Sequence, residues 1–272
     1  MKKGIVLVAM VALWGCKDTP KAEPIAQPEK IEHVALEEEV TPSTTKKEIL
    51  PREEKIGMDV LLPMFYDKDF YGEEVAKINS KWLALFESNG QFQVRKAKYE
   101  LQVEMNECTE SEVIGAISTE EEGPILFFSD TKDILKGKKE TLTIKEVPLW
   151  PEAPQEYVFK GKTYVLRAEG KQMDSYLYTD DSEQEKTFKL FQDYKLYLSI
   201  DGGEEQLVLD IPHFNDTFVQ LLFVGDLDND GLLDFVFDTS AEYEQKSVEL
   251  YLSKGAKHYL YLAGTTTVDF AC

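Results

Sequence analysis

Beyond residue 58 the chain alternates apolar and polar side chains mostly with the two-residue period of a strand. Tyr194, Leu196, Leu198 and Ile200 alternate with Lys195, Tyr197 and Ser199, reach Asp201-Gly202-Gly203, and are answered by Leu207, Leu209 and Ile211. A turn-forming triplet between two such runs predicts a hairpin. Val248, Leu250 and Leu252 lead across Lys254-Gly255 to His258, Leu260 and Leu262, a second hairpin. Trp82 to Phe86 runs into Asn89-Gly90, a pair that accepts the left-handed backbone of a tight turn, and is followed by Phe92, Val94 and a polar-alternating stretch to Met105. Tyr157-Val158-Phe159 and Tyr164-Val165-Leu166 flank Lys160-Gly161-Lys162 in the same manner, and Pro124 to Phe128 reads as a short buried strand. Helical periodicity is confined to Glu73–Asn79 and two weaker candidates, Asp130–Leu135 and Ser182–Phe191. The predicted fold is mainly β: a sandwich or strongly twisted open barrel of antiparallel hairpins with few short helices. Leu149-Trp150-Pro151 is a candidate join between two subdomains.

Aromatic residues mark where folding begins. Every Phe, Tyr and Trp except Trp14 lies at or beyond Phe65, so the globular domain is expected over residues 58–272. Residues 16–57 hold five of the eleven prolines, many charges and no aromatic residue after Trp14. Such a segment buries too little surface to offset the entropy of ordering it, and it is expected to be a flexible tether.

Charge narrows the partners. The chain carries 51 acidic against 30 basic side chains, a formal charge of −21, nearly all of it beyond the tether. A surface this acidic repels phosphates, so nucleic acid is not an expected partner. Divalent cations would relieve the repulsion.

The first sixteen residues read as an address. Lys2-Lys3 precede an apolar run from Gly4 to Trp14, too short for a permanent membrane span and suited to the apolar stretch of an export signal over residues 1–15. Leu13-Trp14-Gly15-Cys16 resembles a bacterial lipoprotein box, with an aliphatic residue three before the cysteine and a small one directly before it. The resemblance implies that Cys16 becomes the first mature residue and carries a lipid that holds the protein to a membrane. Lys17, rather than Asp, after the cysteine is similar to lipoproteins sorted to an outer membrane, facing the periplasm or the cell surface.

One stretch carries recognisable chemistry. Asp226, Asp228 and Asp230 alternate, Gly231 follows at the sixth position of the loop, and Asp234 stands at the ninth. Carboxylates so spaced converge when glycine permits the sharp turn, and with the backbone carbonyl of Leu232 they offer the oxygen donors a hard cation requires. Calcium, which takes six to eight oxygens, is the expected occupant; zinc would ask for sulfur or nitrogen. Phe237 holds the twelfth position, where an EF-hand has its bidentate Glu. Asp226 to Asp234 instead resembles the Asp-x-Asp-x-Asp-Gly-x-x-Asp loop of FG-GAP and VCBS-type repeats, in which strands flank the metal. The segment from Asp238 to Ser253 is similar to the carboxyl end of uncharacterised bacterial envelope proteins with a single such loop. A dissociation constant on the order of 10⁻⁵ to 10⁻³ M is expected for a site without the bidentate Glu.

With Cys16 lipidated, Cys108 and Cys272 remain as an even pair in an oxidising compartment, and a disulfide between them is expected to stabilise the domain by roughly 4 to 5 kcal/mol. Among other candidates, Asp67-Lys68-Asp69 imitates the start of a calcium loop but reads as a turn, because Tyr71 occupies a ligand slot. His213 lies near Asp210 and Asp216, and Asp180-Asp181 and Glu204-Glu205 are paired carboxylates of the kind glycosidases use. No nucleophile elbow, phosphate loop or His-Glu-x-x-His helix is present in the sequence. The expected function is therefore that of a cell-envelope lipoprotein with a calcium-stabilised β domain in a binding or structural role, its ligand an envelope protein or a glycan. The competing expectation is a hydrolase of glycan or peptide in the same compartment.

Overall fold

The alternating runs pair into four sheets across residues 48–144, 148–179 and 185–270, which this computed structural model describes. The first sheet is built on two long strands, Lys162–Thr179 and Glu185–Ile200, flanked by Gln155–Phe159 on one side and by Glu205–His213 and then Ile49–Leu50 on the other. The second runs, in spatial order, Glu140–Thr141, Gln220–Asp226, Asp234–Asp238, Gln245–Leu252 and Tyr261–Asp269. The third places Val60–Leu61, Leu126–Phe128, Leu83–Ser88, Gln91–Lys96 and Gly137–Lys138 side by side, and a smaller fourth joins Phe65–Asp67, Ser111–Ser118 and Tyr99–Asn106. The fold is mainly β, with open antiparallel sheets packed as a sandwich and one helix, Lys68–Ala76, among the described residues. That helix is too short to cross a membrane.

Local chemistry sets the turns. Asn89 and Gly90 sit at φ 51° and 75°, and Lys160 and Gly161 at 47° and 81°. Both pairs are left-handed at the two central positions, which matches the twist of the strands they join. Their flanking residues pair directly, Ser88 with Gln91 and Phe159 with Lys162. The Leu196–Leu209 pairing places the Tyr194–Ile211 hairpin in register, whereas Val248–Leu252 pairs with Tyr261–Asp269, a return strand that begins later than expected and includes Leu262 but not His258 or Leu260.

The second sheet is the middle layer, because its two faces enter different cores. Phe223, Val236, Val248, Leu250 and Leu252 pack with Leu83, Leu85, Val94 and Phe127 of the third sheet. Val224, Phe235, Phe237, Tyr251 and Leu262 pack with Tyr164, Leu166, Leu196 and Leu209 of the first. A strand covered on both sides has no solvent face to keep polar, which is why Asp234–Asp238 is buried at every position and why Phe218–Val224 reads as a nearly unbroken apolar run. Two polar side chains tie the middle layer to the first sheet. The Tyr251 hydroxyl donates to the Val208 carbonyl at 2.7 Å, and buried Gln206 donates to the Leu260 carbonyl while accepting from the backbone N–H groups of Tyr259 and Leu260. Both are hydrogen-bonded, which limits the desolvation cost of burying a polar group. Leu149 and Trp150, at the candidate subdomain join, pack into the core between these two layers.

Several expectations need correction. Residues 49–57, expected to belong to the tether, are tied to the sheets. Ile49–Leu50 extends the first sheet in parallel with Glu205 and Gln206, Arg52 pairs with Glu249 at 3.1 Å, and Lys55 and Met58 donate backbone hydrogen bonds to the edge strand at Leu262 and Ala263. Backbone pairing at a sheet edge substitutes there for the missing aromatics. The helix starts at Lys68, earlier than Glu73, because Asp67 acts as its N-cap by accepting from the Asp69 N–H at 2.9 Å; Asp67-Lys68-Asp69 is therefore a helix start and not a turn. The described part of Ser182–Phe191 is strand, and Asp130–Leu135 holds no helix. The stretch from Phe92 to Met105 breaks at Ala97-Lys98 into two strands that belong to different sheets. The expected export signal, Cys16, most of the expected tether and Cys272 lie outside the described residues.

Candidate metal centre

Two strands of the middle layer and the loop between them build the site. Gln220–Asp226 delivers Asp226 at its last residue, and Asp234 opens the next strand, so pairing of Gly225 with Asp234 closes the loop at its base. Asn229 and Gly231 carry positive φ, 64° and 88°, and the glycine's N–H donates to Asp226 Oδ2 at 2.9 Å. Within the loop Asp228 Oδ1 accepts from the Asp230 N–H at 3.1 Å and Asp230 Oδ1 from the Leu232 N–H at 2.8 Å. These side-chain turns curl the backbone so that carboxylates converge.

Asp226, Asp228 and Asp234 converge most closely. Each offers one oxygen, and these oxygens lie within 4.8 Å of one another, a spacing at which three carboxylates could hold a metal ion. All three are buried, Asp234 completely. Asp230, the fourth expected ligand, is exposed and lies outside that triad; both of its oxygens are 3.2 Å from the Ser253 hydroxyl. Leu232, whose carbonyl was the fifth expected ligand, is half-buried beside it.

Asp234 is the organising acceptor. Its Oδ2 receives the N–H groups of Leu227 and Asp228 at 2.6 and 3.1 Å, and its Oδ1 receives the N–H and hydroxyl of Ser253 at 2.8 and 2.9 Å. Even so, complete burial, followed by the neighbouring Asp228 charge, pushes its carboxyl well above the usual range. Asp228 is pushed up to about 6, first by burial and then by Asp230, against hydrogen bonds from Lys254 and Asp230 that favour the charge. Asp226 is 5 % exposed, and its Oδ1 is buried with no hydrogen-bond partner among the described residues.

Three residues outside the motif complete the surroundings, and none was legible in the local pattern. Ser253 arrives from the end of the Gln245–Leu252 strand. Lys139 is buried beside the loop and donates from Nζ to the Leu227 carbonyl at 2.5 Å and to Asn229 Oδ1 at 2.8 Å. Burial holds its ammonium below the usual lysine range although Asp226, Asp234 and Asp228 favour the charge. Gly225 makes this placement feasible: a Cβ there would come within 2.6 Å of the Glu140 carbonyl, so only glycine lets the Glu140–Thr141 strand lie this close. Lys160, at the tip of the Gln155–Leu166 hairpin, bridges Asp226 Oδ2 and Glu140 Oε2, each at 3.0 Å, and these two hydrogen bonds raise its pKa. The two ammonium groups offset part of the charge that the sequence alone assigns to a cation. They leave the Asp226 Oδ1 unpaired.

The other candidates do not assemble. His213 bonds Glu242 at 2.9 Å, Asp216 accepts from Tyr176 at 3.0 Å, and Asp210 faces Lys195 at 3.4 Å, so the three residues serve separate surface contacts. Glu205 is held by both ends of the Arg167 guanidinium at 2.8 and 2.7 Å. Asp180-Asp181 lies outside the described residues. Cys108 is disulfide-bonded, while its expected partner Cys272 lies outside the described residues.

The chain matches no protein-family model, no curated protein sequence and no solved structure.

Proposed function

We propose that the protein is a bacterial envelope lipoprotein whose β domain binds calcium at Asp226, Asp228, Asp230, Asp234 and the Leu232 carbonyl, and uses that domain in a binding or structural role. The observation that carries the metal reading is the buried triad with the unpartnered Asp226 Oδ1 inside it. An isolated carboxylate oxygen out of water is costly, and a cation is the partner that satisfies several such oxygens at once. Every proposed donor is an oxygen, which favours calcium over zinc. Magnesium, which dehydrates reluctantly and demands a strict octahedron, suits a five-oxygen protein cage less well.

Calcium joins two strands of the middle layer and, through Ser253, the end of a third, so its role here is to stabilise the fold. Isothermal calorimetry on the domain should show one calcium bound with a dissociation constant on the order of 10⁻⁵ to 10⁻³ M. Asp226→Asn, which keeps the shape and removes the charge, should abolish the heat. An unchanged titration for that variant would place any calcium elsewhere.

The anchor rests on the resemblance of Leu13 to Cys16 to a lipoprotein box. Expressed in a bacterium, the full chain should fractionate with membranes and label with a fatty acid, and Cys16→Ser should release it as an unlabelled exported protein. Membrane association retained by Cys16→Ser would remove the lipid anchor from the proposal.

A further inference from the structure

Two ammonium groups reach the acidic loop from segments far from it in the chain. Lys139, just before the Glu140–Thr141 strand, is buried and donates to the Leu227 carbonyl and to Asn229 Oδ1. Lys160, at a hairpin tip of the first sheet, runs alongside Gly231, where a Cβ would meet its Cδ at 3.8 Å, and brings Nζ to 3.0 Å from Asp226 Oδ2. From this placement we infer that Lys139 and Lys160 are built-in competitors of the metal, which hold the carboxylates together before calcium binds and keep its affinity in the weak, extracellular range. The inference rests on the calcium reading above.

Lys139 is a counter-ion by its surroundings. A buried ammonium is costly unless opposite charge compensates it. Its two acceptors are neutral, a backbone carbonyl and a side-chain amide oxygen, so these hydrogen bonds do not supply that charge. The carboxylates of Asp226, Asp234 and Asp228 supply it through space, and they are the three that converge. An ion held by the same three oxygens would therefore meet a positive charge that already answers them.

Lys160 competes by contact. Asp226 Oδ2 accepts from Lys160 and from the Gly231 N–H, and Oδ1 of the same carboxylate is the oxygen left to a metal. Lys160 is itself divided, because Glu140 Oε2 also lies 3.0 Å from its Nζ. With Glu140 counted beside the four loop aspartates there are five carboxylates, and the two lysines leave three negative charges. The loop thus still attracts a divalent cation, but less than its aspartates alone would. Lys254 contributes its backbone N–H to Asp228 while its ammonium faces Asp133 at 3.8 Å. Lys162, Asp201 and His258 share a cleft with Asp230 and not with the buried triad. Removing Lys160 also takes an orienting contact from Asp226. The Gly231 N–H remains on the same oxygen, so relief of repulsion between two cations should dominate.

The test is calorimetry with calcium chloride, together with melting curves in chelator, on the original protein and on Lys160→Met, Lys160→Arg and Lys139→Met. Both methionine variants should bind calcium more tightly, about fivefold for exposed Lys160 and about tenfold for buried Lys139. Both should also melt at a lower temperature in chelator, because the carboxylates have lost a counter-ion. Lys160→Arg, which keeps the charge, should stay close to the original in both measurements. A substitution that merely damaged the loop would lower the melting midpoint and weaken calcium together, so the opposite signs are the mark of competition. Lys160 stands at an exposed turn, so its variants give a reading even where Lys139→Met fails to fold. Calcium bound by the original and no more tightly by Lys160→Met would overturn the inference and leave the metal reading standing. If neither the original nor any variant binds calcium, both fall.

Discussion

In calcium-free buffer Asp234→Ala is expected to destabilise the domain by about 3–5 kcal/mol, a loss on the scale of removing one partner from a buried charged network. Asp234 is completely buried, and its two oxygens receive four donors, the N–H groups of Leu227, Asp228 and Ser253 and the Ser253 hydroxyl. Alanine leaves the three N–H groups without an acceptor, while the Ser253 hydroxyl keeps Asp230, and each unpaired buried donor carries a desolvation penalty of about 1–3 kcal/mol, reduced by whatever water enters the space. The carboxylate's own burial and its repulsion with Asp228 act in the other direction, since both are relieved by the substitution. The donors should win, because they lie beyond the last ladder pairs, Gly225 with Asp234 and Phe235 with Tyr251, and hold the loop and Ser253 where strand pairing has stopped. Urea unfolding in chelator would read the effect directly, and the midpoint of thermal unfolding should fall by about 10 °C. Asp234→Asn should cost less, since one oxygen is retained. An Asp234→Ala domain within 1 kcal/mol of the original, on the ~1 kcal/mol scale of an ordinary hydrogen bond, would show that the loop does not depend on this acceptor.

What the sequence made legible is what neighbouring residues decide. The Asn89-Gly90 and Lys160-Gly161 turns adopt the left-handed backbone their composition favours, so the hairpins around them could be read from a few residues. The acidic loop was legible because its aspartates alternate within a few residues and Gly231 has the left-handed backbone of the sharp bend. Sheet order is a different matter. Glu140–Thr141 lies against Gln220–Asp226, and Lys139 reaches the loop only because that pairing exists. Nothing within a few residues of Lys139 marks it. Lys160 was visible as a turn residue, yet its contact with Asp226 depends on how the first sheet stacks on the second. Ile49–Leu50 was missed for a related reason: two residues at an edge gain their stability from backbone pairing with Glu205 and Gln206, which composition does not reveal. The middle layer did leave a trace, in the continuous apolar run of Phe218–Val224 and in Leu232 to Phe237, where strict alternation fails. Antiparallel strands usually keep one polar face, and these lose it because a core lies on each side.

The second large effect expected is a calcium stabilisation that fades as the solution is acidified. With a dissociation constant near the middle of the expected range, calcium at one hundred times that value should add about 2.7 kcal/mol at pH 7.5, visible as a rise in the melting midpoint. Protons compete for the same oxygens. Without metal, Asp228 in the folded state is held at about 6, above its usual 3.8, and Asp234 is displaced in the same direction. Between those two pH values the folded state binds protons that the unfolded chain does not, so these groups make the metal-free domain more stable as the pH falls through that window, and the penalty from Asp228 is fully felt above pH 6. Calcium requires both carboxyls ionised, so each proton taken up in that window is one the metal must expel. Other groups tilt the absolute curves the other way. Glu53 and Glu242, whose pKa values are lowered by their hydrogen bonds, lose stabilising charge as the pH drops. Their contribution is common to samples with and without calcium and cancels in the difference. The difference between the two melting curves should therefore be largest above pH 7, shrink through pH 6 and approach zero near pH 4. A calcium increment that stayed constant down to pH 5 would mean that the ion sits on carboxylates with ordinary acidity, away from Asp228 and Asp234.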